Sequence, residues 1–198
     1  MLRIYYCDTS TLDADGSYLL SRYRRERLSK LNLLQQRQES IGAELMLNHA
    51  LKSVDPRYLL PAEIDVSEKG KPSLPDGRIH FSISHSKGYA ACAVSDVPVG
   101  IDIQHKEKFR EKMAERYFHP VETAYIRASD DADSTFTQIW CMKESFVKCR
   151  GTGLAGFMNS VNVLEIPGIY HWEEDGLHMA VCLEGLAQKP ERIEKIQV

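Results

Sequence analysis

Val99-Gly-Ile-Asp-Ile103 and, further along, Trp140-Cys-Met-Lys-Glu-Ser-Phe-Val-Lys148 are the stretches on which the reading of this chain turns. The first alternates with a period of 2, which predicts a strand with its apolar residues on one face and Asp102 on the other. The second reads as a helix, on which Trp140, Glu144 and Lys148 stand at successive i, i+4 steps and form one row. A Glu–Lys pair at that spacing is by itself an ordinary solvated pair worth roughly 0.2–0.5 kcal/mol. Asp102 changes its meaning. A strand aspartate beside a helix glutamate is an oxygen-ligand pair suited to Mg²⁺, which takes one or two carboxylates and completes its shell with water and substrate phosphate. The substrate so implied carries phosphates.

The surrounding composition narrows the class. At 198 residues, 43% hydrophobic and 27% charged, the chain is an ordinary soluble globular sequence with room for one or two domains. Its net charge of −3 argues against a protein built as a whole to coat nucleic acid or an anionic membrane. Cys7, Cys92, Cys141, Cys149 and Cys182 are scattered, with no C-x-x-C, which predicts free thiols rather than a disulfide framework or a zinc site. The segment after Met1 lacks a basic n-region and an apolar core, and no run approaches a membrane span, so a cytoplasmic location is expected.

Outward from the two stretches, the pattern mixes both element types. Leu2 to Cys7 reads as a strand, and Ser17 to Val54 as two helices with an apolar face of Ile41, Leu45, Leu47, Leu51 and Val54. Pro61 to Pro75 is a connection with a short strand around Ile64 to Ser67, followed by strands at Ile79 to Ser84, Tyr89 to Ser95 and Val99 to Ile103. A helix is predicted near Glu107 to Tyr117. His119-Pro120 then opens another, with proline at N1 and Glu122 in the first turn, where a negative charge suits the dipole. The helix of Ser134 to Lys148 is closed by Gly151 and Gly153. Strands are expected at Asn162 to Ile166, Ile169 to Trp172, Leu177 to Leu183 and Ile193 to Val198. With no parallel βαβ series and no repeat, the class is α+β.

Three further strings, Gly70-Lys-Pro72, Phe81-Ser-Ile-Ser-His-Ser86 and Phe118-His-Pro-Val-Glu122, stand in order with the first two. Together the five resemble the 4′-phosphopantetheinyl transferases, in the larger, surfactin-synthetase-activating branch, over nearly the whole chain. The resemblance implies two similar α+β halves related by a pseudo-twofold axis, residues 1–97 with the coenzyme A-binding elements and residues 98–198 with the metal-binding and catalytic ones. It implies Mg²⁺-dependent transfer of the 4′-phosphopantetheine arm of coenzyme A to a serine of an apo acyl or peptidyl carrier protein, releasing 3′,5′-ADP. A monomer is expected, with neither nucleic acid nor membrane as partner. Fatty acid, polyketide and nonribosomal peptide carriers all remain open.

Residue by residue, the resemblance makes Asp102 and Glu144 metal carboxylates, Glu144 also the general base, and Lys148 a catalytic lysine that stabilises pyrophosphate charge. Gln104 stands where many relatives carry a second acid, and its carbonyl oxygen can still coordinate a hard cation or hold a metal-bound water. His85 and Ser84 fall on coenzyme-contacting positions, Lys71 and Pro72 on the nucleotide, and Arg24 and Arg27 on 3′-phosphate contacts in a loosely matched stretch. Glu39 replaces an arginine common in relatives. Each residue also has a plainer reading: Lys148 as partner of Glu144, His85 as a structural histidine, Lys71 as an exposed turn lysine, the arginines as a solvated face, and Trp140, Phe118 and Phe146 as packing. Two other functions fit the same carboxylates: an Mg²⁺-dependent hydrolase of a coenzyme A-like pyrophosphate, and a non-catalytic binder.

Overall fold

The computed structural model describes residues 1–153, 158–185 and 193–197. The first half runs β1 (Leu2–Asp8), α1 (Arg22–Leu28), α2 (Leu34–Val54), β2 (Asp65–Val66), β3 (Pro72–Ser73), β4 (His80–Ser86) and β5 (Tyr89–Ser95). The second runs β6 (Val99–His105), α3 (Glu111–Tyr117), α4 (Pro120–Arg127), α5 (Ala132–Arg150), β7 (Ile169–Glu174), β8 (Leu177–Leu183) and β9 (Ile193–Lys195). The α+β class is observed. One sheet has the order β4-β5-β1-β9 and another β6-β8-β7. All pairings are antiparallel except that of β9, which lies parallel to β1, so the last described strand belongs to the sheet of the first half.

Alternation along the strands produces four layers. Tyr5 and Cys7 of β1 with Cys92 and Val94 of β5 pack against Ala43, Met46, Leu47 and Leu51 of α2. Their neighbours Ile4, Tyr6, Ala91 and Ala93 point the other way and pack on Val99, Ile101 and Ile103 of β6 and on Met179 and Val181 of β8. The remaining faces of β6 and β8 receive α5. Phe118, Ile126 and Val163 then join Phe136, Ile139 and Met142 of α5 in a further apolar cluster.

Two local devices set the geometry of the region between the sheets. Along β4 the alternate residues Ser82, Ser84 and Ser86 face β6: Ile101 N donates to Ser82 Oγ at 3.1 Å, Ile103 N to Ser84 Oγ at 3.3 Å, and Ser86 Oγ donates to Gln104 Oε1 at 3.3 Å. Serine hydroxyls thus take the place of a backbone ladder where the edges of the two sheets meet. The second device is Gly100. A Cβ there would lie 2.0 Å from Ser145 O and 2.3 Å from Cys149 N. The backbone of α5 therefore rests directly on β6, and Asp102, on the same face as Gly100, is brought under the row of Glu144 and Lys148.

Several element limits differ from expectation for identifiable reasons. Residues 107–110 stay outside the helix, because α5 side chains take their amides: Glu107 N donates to Thr137 Oγ1 at 2.9 Å and Phe109 N to Asp133 Oδ1 at 2.8 Å. The strand expected at Asn162 to Ile166 is instead a 3₁₀ turn over Val163–Glu165. Asn162 caps it through Leu164 N, and Val163 N is claimed by Glu122 Oε1 at 2.7 Å, so these side chains outcompete a strand ladder. The α4 terminus carries the expected proline, with Glu122 Oε2 accepting from His119 N in a capping box. Helix α5 ends at Gly151, whose φ of +63° is a glycine conformation. Val198 lies outside the described residues.

Candidate active site

Asp102 is 2% exposed and fully engaged. Its Oδ1 accepts from Lys148 Nζ at 2.6 Å and Ser84 Oγ at 2.7 Å, and its Oδ2 from Gln104 Nε2 at 3.2 Å. Lys148 Nζ also reaches Ser84 Oγ at 2.9 Å. The ion-pair partner of Lys148 is therefore Asp102 across the sheet–helix contact, not Glu144 one turn before it. Glu144, half-buried on the same row, has its carboxyl pushed up to about 7, first by burial and then by the charge of Asp102, with Lys148 pulling the other way.

The residue beside Glu144 points away from the row and fixes the helix. Lys143, 1% exposed, donates to Met158 O at 2.7 Å and Val161 O at 2.8 Å and pairs with Glu122 Oε2 at 2.8 Å. The first-turn acid of α4, read from sequence as a dipole partner, thus also closes a buried ion pair that ties α4 to α5. Lys143 carried no separate signal in the sequence.

Two basic candidates, Arg24 and Lys71, are held more firmly than their composition implied. Arg24 is buried rather than solvated; its Nε donates to Glu44 Oε2 at 3.2 Å and its Nη1 to Ser40 Oγ at 3.2 Å, leaving Nη2 buried with no hydrogen-bond partner. Arg27 stays exposed. Lys71 is not a free turn lysine: Nζ donates to Cys149 O at 2.7 Å at the end of α5, and burial lowers its pKa. Its stem lies over Gly151, where a Cβ would come within 2.9 Å of Lys71 Cδ. His85 is exposed at the end of β4, with Nδ1 3.0 Å from Glu39 Oε2.

These groups surround a cleft of about 610 Å³, within the range of roughly 300–1,000 Å³ of small-molecule sites. Arg24, Arg27, Lys71, Pro72, Ser84 and His85 line it, as do Asp102, Gln104, Glu144 and Lys148. Tyr23 and Lys69, not singled out from sequence, line it too. Six basic side chains, Arg24, Arg27, Lys69, Lys71, His85 and Lys148, and two carboxylates therefore face one cavity, which suits a polyanion with a hard cation. Among the described residues no three His, Cys, Asp or Glu side chains gather as a metal cluster. The available oxygen donors are the carboxylates of Asp102 and Glu144 with the Gln104 amide, whose nitrogen now faces Asp102.

Residues 98–176, which carry β6, α5 and the Asp102–Glu144–Lys148 arrangement, match the family model described as the 4′-phosphopantetheinyl transferase superfamily. Curated proteins similar to the chain carry the same name. The chain is 41% identical over 96 residues to the 4′-phosphopantetheinyl transferase gsp of Aneurinibacillus migulanus, covering 48% of this chain and 40% of that protein. It is 37% identical over 134 residues to Sfp of Bacillus subtilis (strain 168), covering 58% and 60%. A further Bacillus subtilis 4′-phosphopantetheinyl transferase is 39% identical over 130 residues, covering 62% and 56%. The matched region thus spans 40% to 60% of these relatives' own length. Among the described residues no helix is long and apolar enough to cross a membrane.

Proposed function

We propose that this cleft transfers the 4′-phosphopantetheine arm of coenzyme A to a serine hydroxyl of an apo acyl or peptidyl carrier protein, releasing 3′,5′-ADP. The observation that carries the reading is the placement of Glu144, Asp102 and Lys148 together in a cavity lined by further basic groups, in a segment similar to transferases of that name. Coenzyme A lies along the cleft, with its phosphates toward Arg24, Arg27, Lys71 and His85. Asp102 and Glu144, with Gln104 through oxygen or a bound water, would hold Mg²⁺. Two carboxylates and a neutral oxygen facing one cavity are the donor set such an ion takes. When bound, Mg²⁺ supplies charge neutralisation to the pyrophosphate.

The chain's own groups account for the rest. Glu144 takes the proton of the carrier serine, as a carboxylate facing the cleft can accept one from a hydroxyl brought beside it. The serine oxygen forms a bond to the phosphorus nearest the pantetheine, the bridging P–O bond breaks, and its electron pair leaves on 3′,5′-ADP. Lys148 offsets charge on the phosphates, and Asp102 and Ser84 fix the direction of its ammonium. The two helix-on-sheet units, α2 on β5 and α5 on β6, act as the two related halves of the resemblance. Incubation with Mg²⁺, coenzyme A and a panel of apo carriers, with 3′,5′-ADP followed by chromatography, tests the reading. Release that depends on carrier supports transfer. Release without carrier points to hydrolysis, and no release at saturating Mg²⁺ to a binder.

A further inference from the structure

Glu39 lies on α2, its side chain 7% exposed, and reaches the tip of the β4–β5 hairpin. That hairpin turns on Lys87-Gly88, both at positive φ, as two-residue hairpins require. Glu39 Oε1 accepts from Gly88 N at 2.7 Å and from Gln35 Nε2 at 3.0 Å, while Oε2 faces His85 Nδ1 at 3.0 Å. Burial alone would raise the Glu39 carboxyl, but the hydrogen bonds from His85, Gly88 and Gln35 outweigh it and hold it below the usual carboxylate range.

An ionised carboxylate can only accept, so the hydrogen between the pair belongs to His85 Nδ1. In the neutral ring, Nε2 then carries a lone pair and cannot donate to a phosphate oxygen. Donation requires the imidazolium, whose charge Glu39 balances from the other side of the ring. We propose that Glu39 is a positioning residue that makes His85 a proton-linked phosphate clamp, so that binding of coenzyme A draws one proton onto His85. This rests on the coenzyme A reading of the cleft and adds a role for a residue which, by position alone, would only remove positive charge.

The other charged groups near this turn are already committed. Lys87 is ion-paired with Glu107. His105 of β6 is held toward its neutral form by burial and by Lys87. Across the cleft, Arg24 is tied to Glu44 and Lys148 to Asp102, while Arg27 is fixed in charge. None of these supplies a titrating donor next to His85 in its place.

Glu39→Gln gives a sharp test. Its oxygen stays with Gly88 N and Gln35, so its NH₂ turns to His85 Nδ1. That forces the opposite tautomer, in which neutral His85 already carries a hydrogen on Nε2. Coenzyme A binding is measured by calorimetry from about pH 6 to about pH 9, in buffers of different ionisation enthalpy. The ligand's own titration is common to all proteins compared and cancels. Relative to Glu39→Gln, the unmodified protein should take up as much as one extra proton and lose affinity by up to about tenfold per pH unit on the alkaline limb. In turnover the same difference should appear in KM for coenzyme A, with kcat changed little. His85→Gln, a change at an exposed side chain, should also remove the extra uptake and serves should Glu39→Gln fail to fold. Equal proton uptake and parallel pH profiles, or uptake that persists in His85→Gln, overturn the inference while leaving the coenzyme A reading intact. Absence of any coenzyme A binding to the unmodified protein overturns both.

Discussion

Lys148 Nζ stands 2.6 Å from Asp102 Oδ1, joining the middle of β6 to the last turn of α5 by an ion pair whose acid is buried and whose base has a side chain 29% exposed. Two elements that carry the chemistry are thereby locked in register. Lys148→Met should leave Asp102 with only the Ser84 and Gln104 donors and cost about 1–3 kcal/mol, less than for a wholly buried pair because Lys148 reaches solvent. Urea denaturation in metal-free buffer measures this. If Asp102 is a metal ligand, added Mg²⁺ narrows the gap; a gap that Mg²⁺ leaves unchanged counts against that role.

Glu144→Gln separates activity from stability. Turnover should fall by orders of magnitude, since the amide cannot accept the serine proton. In metal-free buffer the variant should be more stable than its parent above pH 7, by about 2–3 kcal/mol. The folded carboxyl titrates at about 7 against an unfolded value of 4.5, so the native state binds more protons between these limits and loses stability as pH rises through them. Denaturation at low and high pH should show the two proteins converging in acid. A variant that keeps near-parental turnover at high Mg²⁺ would falsify the assignment of the base.

Gly100→Ala tests the approach of α5 to β6. With Ser145 O only 2.0 Å from the added Cβ, the helix must move, at a cost of about 1–3 kcal/mol or more. Activity should fall further than stability, because both Glu144 and Lys148 ride on the displaced helix. Normal activity in the variant contradicts the proposed dependence on this contact.

A pair of histidines outside the cleft sets an acid limit. His171 Nε2 lies 3.1 Å from His178 Nδ1, and burial followed by the neighbouring ring lowers His171 to about 4; burial also lowers His178. Below the unfolded value of 6.5 the unfolded chain binds more protons. Stability is therefore fully present above pH 6.5 and falls as pH drops toward 4, by about 2–3 kcal/mol from His171. His171→Phe should flatten that limb; an unaltered acid limb argues that both histidines are protonated without penalty.

The sequence was most legible where a single period governs a segment. The helix carrying Glu144 and the strand carrying Asp102 could be read because 3.6-residue and 2-residue repeats place their polar groups on one face. What escaped reading depends on partners far along the chain. Lys71 looked like a turn residue because its acceptor, Cys149 O, is 78 positions away. The Glu39–His85 pair joins residues 46 apart, and Arg24 lost its solvated appearance to Glu44. Val163–Glu165 has strand-like composition, but Glu122 and Asn162 claim its amides. Local propensity is silent about such competition.

The most direct test of the proposed transfer is the intact mass of an apo carrier after incubation with this protein, Mg²⁺ and coenzyme A, beside the same carrier with its acceptor serine changed to alanine. The account predicts that the first gains one phosphopantetheine, that the second gains nothing, and that Glu144→Gln leaves both unmodified. An unmodified serine carrier across the whole panel, or equal modification of the alanine carrier, contradicts it.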